Sequence, residues 1–338
     1  MNRAVSRRYR QDEIVRCAWL YYVQDRTQDE VARELGVSRA TVARLLKEAK
    51  VCGLVQIQIN APLDLLALAD RLRAAYRLAR VHLVPTVADA REQKVALARE
   101  LSAVFTPKRG DIIAVSWGTT LSHAIDLLPA PRTALGLTVV SVLGGIQGDI
   151  GTANPYNIAF RLGQKLGATV YMLQAPAFVH DPAFAALLMR EISIQRTLEM
   201  GGRARIALFG AGDLTEHSTL ERIGAISREE RQWLVSLGAV GDLLGHFLNI
   251  RGEVVKPEGR FIPMSLPLAD LMRIPERICL AGGPAKHEML LAMLRAGYIT
   301  TLVTDEETAK YLLAAAERAA RPDGTASIEG GITPALIP

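Results

Sequence analysis

The sequence predicts an α/β protein in two parts. A small N-terminal all-α winged helix-turn-helix spans residues 1–60, and a larger Rossmann-like, doubly wound, mostly parallel sheet spans residues 61–338. Three observations carry this reading. Residues 27–50, TQDEVARELGVSRATVARLLKEAK, hold two short amphipathic patterns separated by little more than a glycine. From Val81 onward, short apolar runs alternate with helical patterns. The basic excess is concentrated at the front: the first 60 residues hold eleven Lys and Arg against seven Asp and Glu, and the rest hold 29 against 28.

The N-terminal elements follow from their caps. Thr27 followed by Glu30 is a capping box, in which the hydroxyl accepts from the third helical amide and the carboxylate reaches back. Gln28 therefore opens a helix, Val31, Ala32 and Leu35 form its apolar side, and Gly36 ends it in a left-handed conformation. Ser38 caps a second helix with an apolar stripe of Val42, Leu45, Leu46 and Ala49. A link of only Gly36 and Val37 forces the pair to cross sharply, as in a helix-turn-helix. At about 100° per residue, the opposite side carries Ala40, Ala43, Arg44 and Lys47, flanked by Arg39 and Thr41. Small alanines allow entry into a groove, and the cations reach base edges or phosphates. The candidate DNA contacts are Gln28, Ser38, Arg39, Ala40, Thr41, Arg44 and Lys47. DEIVRCAWLYYVQ upstream reads as a third helix, LVQIQIN after Gly53 as the strand of a wing, and Arg7, Arg8 and Arg10 as a phosphate-facing cluster.

Composition narrows the class. With 49% hydrophobic and 22% charged residues, the chain can bury one large core and a smaller one. Its longest apolar stretch, LGLTVVSVLGGI, falls short of the roughly 20 residues that cross a bilayer, so no membrane partner is expected. No secretory signal is read at the N-terminus, and the expected location is cytoplasmic. Cys17, Cys52 and Cys279 lack the spacing of a zinc or redox site, and no two of the six histidines stand at metal-ligand spacing, so neither metal nor cofactor is expected.

PLDLLALADRLRAAY reads as a helix joining the two parts. Beyond it come the pairs VHLV with DAREQKVALARELSAVF, DIIAVS with TTLSHAIDLL, LTVVSVL with NIAFRLGQKLG, and TVYML with FAALLMREISIQRTLEM. RIALFG follows, then RICLAGG with AKHEMLLAMLRAG, and ITTLVT with EETAKYLLAAAERAA. Such alternation specifies parallel strands covered by helices on both faces, with ligands at the carboxyl ends of the strands. Loops there share one character: WGTT, GGIQGD, GAG and GGPAK place glycines or hydroxyls just before a helix or in a turn, where backbone amides favour an anion. The candidate effector residues in these loops are Gly118, Thr119, Thr120, Gly144, Gly145, Gln147, Gly212, Gly282, Gly283 and Lys286. Glycine in such a turn also serves tight packing alone. Asp305, Glu306 and Glu307 after Thr304 read as a helix cap rather than acid-base chemistry.

The blocks SWGTTL, LGGIQG, LFGAG, LGAVGDLLGHF, AGGPAK and LVTDEETA, in this order behind a helix-turn-helix, resemble the SorC type of sugar-binding transcriptional regulators over nearly the whole chain. The resemblance implies an effector domain similar to sugar-phosphate isomerases, a sugar, sugar-phosphate or polyol effector, double-stranded operator DNA as partner, and a homodimer or homotetramer. It implies that Gly118, Thr119 and Thr120 cradle the effector, that Gly282, Gly283 and Lys286 hold its phosphate, and that Asp242 accepts its hydroxyls. Val142 and Leu143 stand where the family can carry a cation ahead of Gly144, which argues against a bisphosphate or a covalent lysine adduct.

The expected function is a transcriptional regulator of a carbohydrate or polyol operon, not an enzyme. The rival is a phosphosugar isomerase or deaminase with an N-terminal assembly domain, for which no acid-base pair stands near the loops. Deletion of residues 1–60 is expected to abolish specific operator binding in a gel-shift assay; unchanged binding would refute the helix-turn-helix assignment.

Overall fold

The computed structural model describes residues 2–55, 63–131, 133–146 and 154–320. The chain divides into two compact units, Met1–Leu63 and Asp64–Pro338.

In the first unit, α1 (Asn2–Tyr22), α2 (Gln28–Leu35) and α3 (Arg39–Val51) enclose a core of Ile14, Cys17, Leu20, Val31, Val42, Leu45, Leu46 and Ala49. The first helix begins ten residues earlier than its apolar pattern predicts. The caps act as the sequence predicts. Thr27 Oγ1 accepts from the Glu30 amide at 3.3 Å, the Glu30 carboxylate accepts from the Thr27 amide at 2.8 Å, and Gly36 sits at φ 66°. Ser38 Oγ accepts from the Thr41 amide at 3.2 Å and so starts α3. The side chains of Arg7, Arg8 and Arg10, and residues 56–60 of the expected wing strand, lie outside the described residues.

The second unit contains α4 (Leu63–Tyr76), β1 (Arg80–Val84), α5 (Ala90–Arg99), α6 (Leu101–Val104), β2 (Ile112–Val115), α7 (Thr119–Leu127), β3 (Thr138–Ser141), α8 (Pro155–Leu166), β4 (Thr169–Met172) and β5 (Phe178–Val179). It continues with α9 (Pro182–Leu188), α10 (Ile192–Gly202), β6 (Ile206–Phe209), β7 (Gly212–Asp213), α11 (Thr219–Arg222), α12 (Arg228–Ser236), β8 (Ala239–Leu243) and β9 (His246–Asn249). It ends with β10 (Ile262–Pro263), α13 (Leu268–Leu271), β11 (Glu276–Leu280), α14 (His287–Arg295), β12 (Thr301–Asp305) and α15 (Glu306–Ala320).

Seven strands form one sheet in the order β1-β12-β11-β6-β2-β3-β4, every neighbouring pair parallel. Successive residues of a strand face opposite sides, and here both sides are covered. Ile113, Val139, Leu208, Ile278 and Val303 join the core beneath α5, α6, α7 and α8. Ala114, Val140, Phe209, Cys279 and Leu302 join the other core, with residues of α4, α10, α14 and α15. From β2 the chain steps outward through β3 to β4; from β6 it steps the other way through β11 to β12. The strand order therefore reverses between β2 and β6, the place where doubly wound sheets open a ligand crevice.

Two departures from the sequence reading have local causes. FAALLMREISIQRTLEM is two helices, because the backbone at Glu191 is extended (ψ 128°) and restarts as α10. Between β6 and β11 the chain inserts an antiparallel sheet, β7-β8-β9, and the strand β10, which pairs with β5 from before β6. These strands span only two to five residues, and β7 and β8 contain Gly and Asp, residues depleted in strands, so no periodicity signals them.

Candidate nucleic-acid interface and effector site

Burial of the α3 stripe leaves the other side of that helix to solvent. Ser38, Arg39, Ala40, Ala43, Arg44 and Lys47 are exposed, and Gln28 and Thr41 are half-buried. Arg39 lies 3.5 Å from Asp29 in an exposed pair, which contributes little. Arg44 and Lys47 have no ion-pair partner among the described residues. The first unit thus presents a capped helix with small residues at its centre and cations along it, the form that enters a major groove.

In the second unit, the loops after β2, β6 and β11 meet at the strand reversal. Gly118, at φ 138°, leads into α7 with no side-chain cap, so the first amides of that nine-residue helix keep no side-chain acceptor. Gly212 pairs with Asp242 across β7 and β8; a Cβ on Gly212 would overlap the Asp242 carboxylate, and one on Gly241 would overlap the Gly212 carbonyl. Two residues singled out separately in the sequence are therefore neighbours whose approach requires glycine. Gly283, at φ 87°, precedes a single 3₁₀ turn, Pro284–Lys286, that runs into α14.

Lys286 Nζ does not stand free. It donates to Asp213 Oδ2, whose other oxygen accepts from the Thr215 hydroxyl at 2.5 Å and the Thr215 amide at 3.1 Å. Burial alone would raise the Asp213 pKa, but the Lys286 ammonium and the Thr215 donors outweigh it and hold the carboxyl below its ordinary value. Lys94 of α5 lies in the same neighbourhood. Burial lowers its pKa, and the charges of Lys286 and Arg222 lower it further, against the attraction of Asp213. Lys94 makes no ion pair or hydrogen bond among the described residues. Lys286 and Lys94 thus stand near Asp213, the exposed Arg222 adds its charge to Lys94, and the buried Asp242 is a second carboxylate within reach of Lys286. Cations outnumber carboxylates by one, an arrangement that favours a further anion. Sequence reasoning missed Lys94, Asp213 and Arg222. Lys94 reads there as an ordinary polar position of a helix, Arg222 lies in a stretch given no element, and Asp213, directly after Gly212, was within reach of the loop argument.

Asp242 is 2% exposed, and its Oδ2 accepts from the Gly245 amide at 3.0 Å. Burial pushes its pKa up to about 6, against the Gly245 amide, the Lys286 charge and the Trp117 side-chain donor. The β8-β9 turn beneath it is tight: Leu244 and Gly245 both have positive φ, 53° and 79°, the type I′ pattern, with a buried leucine where Asn or Gly is usual. Trp117 stacks obliquely on Phe178 at 5.9 Å, and Phe178 stacks parallel to Phe247 at 6.0 Å. A half-buried aromatic surface therefore begins beside the cations.

Other expected residues behave differently. The amides of Gly144 and Gly145 donate to Met264 O at 2.9 Å and Ala175 O at 2.8 Å, so this turn offers no free N–H to an anion. Its glycines serve close packing against the backbone at Ala175 and Pro176 and the ring of Tyr156. Gln147 lies outside the described residues. The Gly283 amide is likewise taken, by Asp305 and Thr308. His287 stacks on Tyr311 at 4.3 Å. Asp305 rather than Thr304 caps α15, accepting from the Thr308 amide at 3.0 Å.

Comparisons with known proteins match both units of the chain. The Sugar-bind family of sugar-binding domains matches residues 61–314, and the sigma-70 region 4 family matches residues 9–50. The chain is 32% identical over 307 residues to the erythritol catabolism regulatory protein EryD of Brucella abortus, across 88% of this chain and 95% of that one. It is 32% identical over 317 residues to the deoxyribonucleoside regulator of Bacillus subtilis, across 90% and 98%. The full-length sorbitol operon regulator SorC of Klebsiella pneumoniae superposes with a TM-score of 0.69 at 27% identity, across 89% and 97%.

Because Asp242 holds its proton more tightly folded than unfolded, its contribution to stability is complete below the ordinary carboxylate range and is lost as pH rises through about 6. Asp242→Asn should therefore gain on the wild type by roughly 2–3 kcal/mol at pH 8 and by little at pH 4. Urea unfolding at the two pH values checks this; an equal difference at both would contradict the buried charge.

Proposed function

Since the chain belongs to the SorC type of sugar-binding transcriptional regulators, we propose that its effector is a small sugar or polyol carrying one anionic group, a phosphate monoester. The observation that carries this reading is that Lys286, Lys94 and the exposed Arg222 gather near two carboxylates, Asp213 and the buried Asp242. A phosphate monoester brings about two negative charges at neutral pH and three acceptor oxygens. The uncapped amides at Thr119 and Thr120 supply donors of the kind that bind phosphate at a helix N-terminus. Trp117 and the aromatic surface behind it offer a flat apolar wall to the carbon skeleton, and Asp242 fixes the indole from below.

Chain-wide relatives named for erythritol catabolism, deoxyribonucleosides and the sorbitol operon support a small polyhydroxyl skeleton. Val142 and Leu143, buried at the end of β3, supply no cation for a second phosphate. The protein acts as a sensor rather than an enzyme: Asp213 is committed to Lys286 and Thr215, and Asp242 to the Gly245 turn, so neither is free to exchange protons with a substrate. Arg39, Arg44 and Lys47 contact operator DNA, with Ala40 and Ala43 allowing close approach. A homodimer or homotetramer places two α3 helices on two half-sites, and effector binding shifts DNA affinity by its preference for one arrangement, typically by about 1–3 kcal/mol.

A panel of sugars, polyols and their phosphate monoesters, scored by displacement of operator DNA in a gel shift, tests the reading. A monoester should act where its unphosphorylated parent does not, and Lys286→Ala or Lys94→Ala should raise the effective concentration at least tenfold without altering DNA binding in its absence. An unphosphorylated polyol acting equally on wild type and both variants would refute it.

A further inference from the structure

Asp305 occupies an unusual position for a helix cap. It is fully buried at the end of β12, and no Lys or Arg pairs with it among the described residues. A buried carboxylate without a cation is costly, and Ser, Thr or Asn would cap α15 without a charge. Its two oxygens instead collect donors from three segments. Oδ2 accepts from the Gly283 amide at 2.7 Å and the Thr308 hydroxyl at 2.7 Å. Oδ1 accepts from the Thr308 amide at 3.0 Å and the Thr86 hydroxyl at 3.2 Å. Thr86 in turn accepts from the Glu307 amide at 2.9 Å. Gly282 has no room for a Cβ, because the Asp305 carboxylate lies against it. One buried side chain thus ties the Gly282–Lys286 turn to the first turn of α15.

From α15 the connection continues to α4. Tyr76 Oη, at the end of α4, donates to the Leu312 carbonyl at 2.7 Å, and Leu72 beside it is fully buried. The opposite end of α4 is packed differently. A cleft of about 560 Å³ separates it from α15, lined by Asp64, Ala67 and Arg71 on one side and Glu306, Lys310 and Leu313 on the other. Across that cleft the exposed Arg71–Glu317 pair joins the helices, while Leu65, Leu68 and Leu72 of α4 are buried. The fourth helix is thus bonded to α15 at Tyr76 and bordered by a cleft at Asp64, where the second unit begins.

We propose that Asp305 is a positioning residue that transmits occupancy of the Gly282–Lys286 turn to α15 and, through the Tyr76–Leu312 bond, to α4. Ligand-induced movement of the turn pulls the Gly283 amide, the shared carboxylate carries the pull to the α15 N-terminus, and α4 follows through the Tyr76–Leu312 bond. The ligand-driven arm rests on the anion reading of the site; the ligand-free arm does not.

Hydrogen exchange on the full chain, with inorganic phosphate as the probe, tests this. In the wild type, phosphate should slow exchange at least threefold in residues 282–286 and in α4. Asp305→Asn, or Thr308→Val should the first variant fold poorly, should lose the α4 response while exchange in β2 and β3 stays slow. Tyr76→Phe should keep the response of the turn and lose that of α4. An α4 response surviving in these variants overturns the proposal, as does a wild-type turn that responds without α4; the latter leaves the anion reading intact. If phosphate protects neither segment, the anion reading fails and the ligand-free comparison decides. Asp305→Asn alone should then speed α4 exchange at least threefold with β2 and β3 unchanged, and an unaltered α4 overturns the relay.

Discussion

A half-buried ammonium must find negative charge, and at the carboxyl ends of β6 and β11 two lysines and an arginine have two carboxylates among them, Asp213 and the deeply buried Asp242. Asp213 answers Lys286, while Lys94, desolvated on α5, is left facing two like charges. The arrangement persists because the sheet imposes it. Parallel strands order their loops along one edge, and the reversal between β2 and β6 opens that edge, bringing α5, α7 and the Gly282–Lys286 turn around one space. Folding free energy supplied by the two large cores is partly offset there by repulsion, and a bound anion relieves that repulsion. In such a design ligand affinity and electrostatic strain are the same quantity seen from two sides.

The small unit obeys a simpler logic. Its core is a few side chains from three helices, so local devices carry a large share of its definition. The Thr27–Glu30 box, Gly36 and the Ser38 cap fix where α2 ends and α3 begins. Those boundaries alone decide that Val42, Leu45 and Leu46 face inward and that Arg44 and Lys47 face water. An exposed cationic face is therefore a by-product of capping, and this is why it was legible in 24 residues.

Legibility fell where function depended on distant pairs. The alternation of apolar runs with helical patterns specified the parallel sheet, because strands buried on both faces must be apolar throughout. Glycines at 118, 212, 282 and 283 marked turns after β2, β6 and β11, strands that adjoin in the sheet. Glycines at 144 and 145 looked the same in sequence, yet their amides serve the backbone at Met264 and Ala175. A glycine reports that space is tight or φ positive, not which neighbour makes it so. Lys94 was invisible for the opposite reason: a lysine on an amphipathic helix resembles a solvated one until the tertiary fold desolvates it. The β7-β8-β9 insertion escaped because strands of two to five residues, two of them holding Gly and Asp, carry no period. Asp305 was rightly read as part of a helix start, but its bond to the Gly283 amide depends on a partner 22 residues away.

The central claim is that the strand reversal between β2 and β6 is an anion site held by Lys286 and its neighbours. A crystal structure of the full chain grown with its operator-releasing effector tests it most directly. The account predicts an anionic group of that molecule within hydrogen-bond distance of Lys286 Nζ and the Thr119 or Thr120 amide, with its carbon skeleton against Trp117. An effector whose anionic group lies away from Lys286 and Lys94, or one that binds there with no anionic group at all, would contradict it.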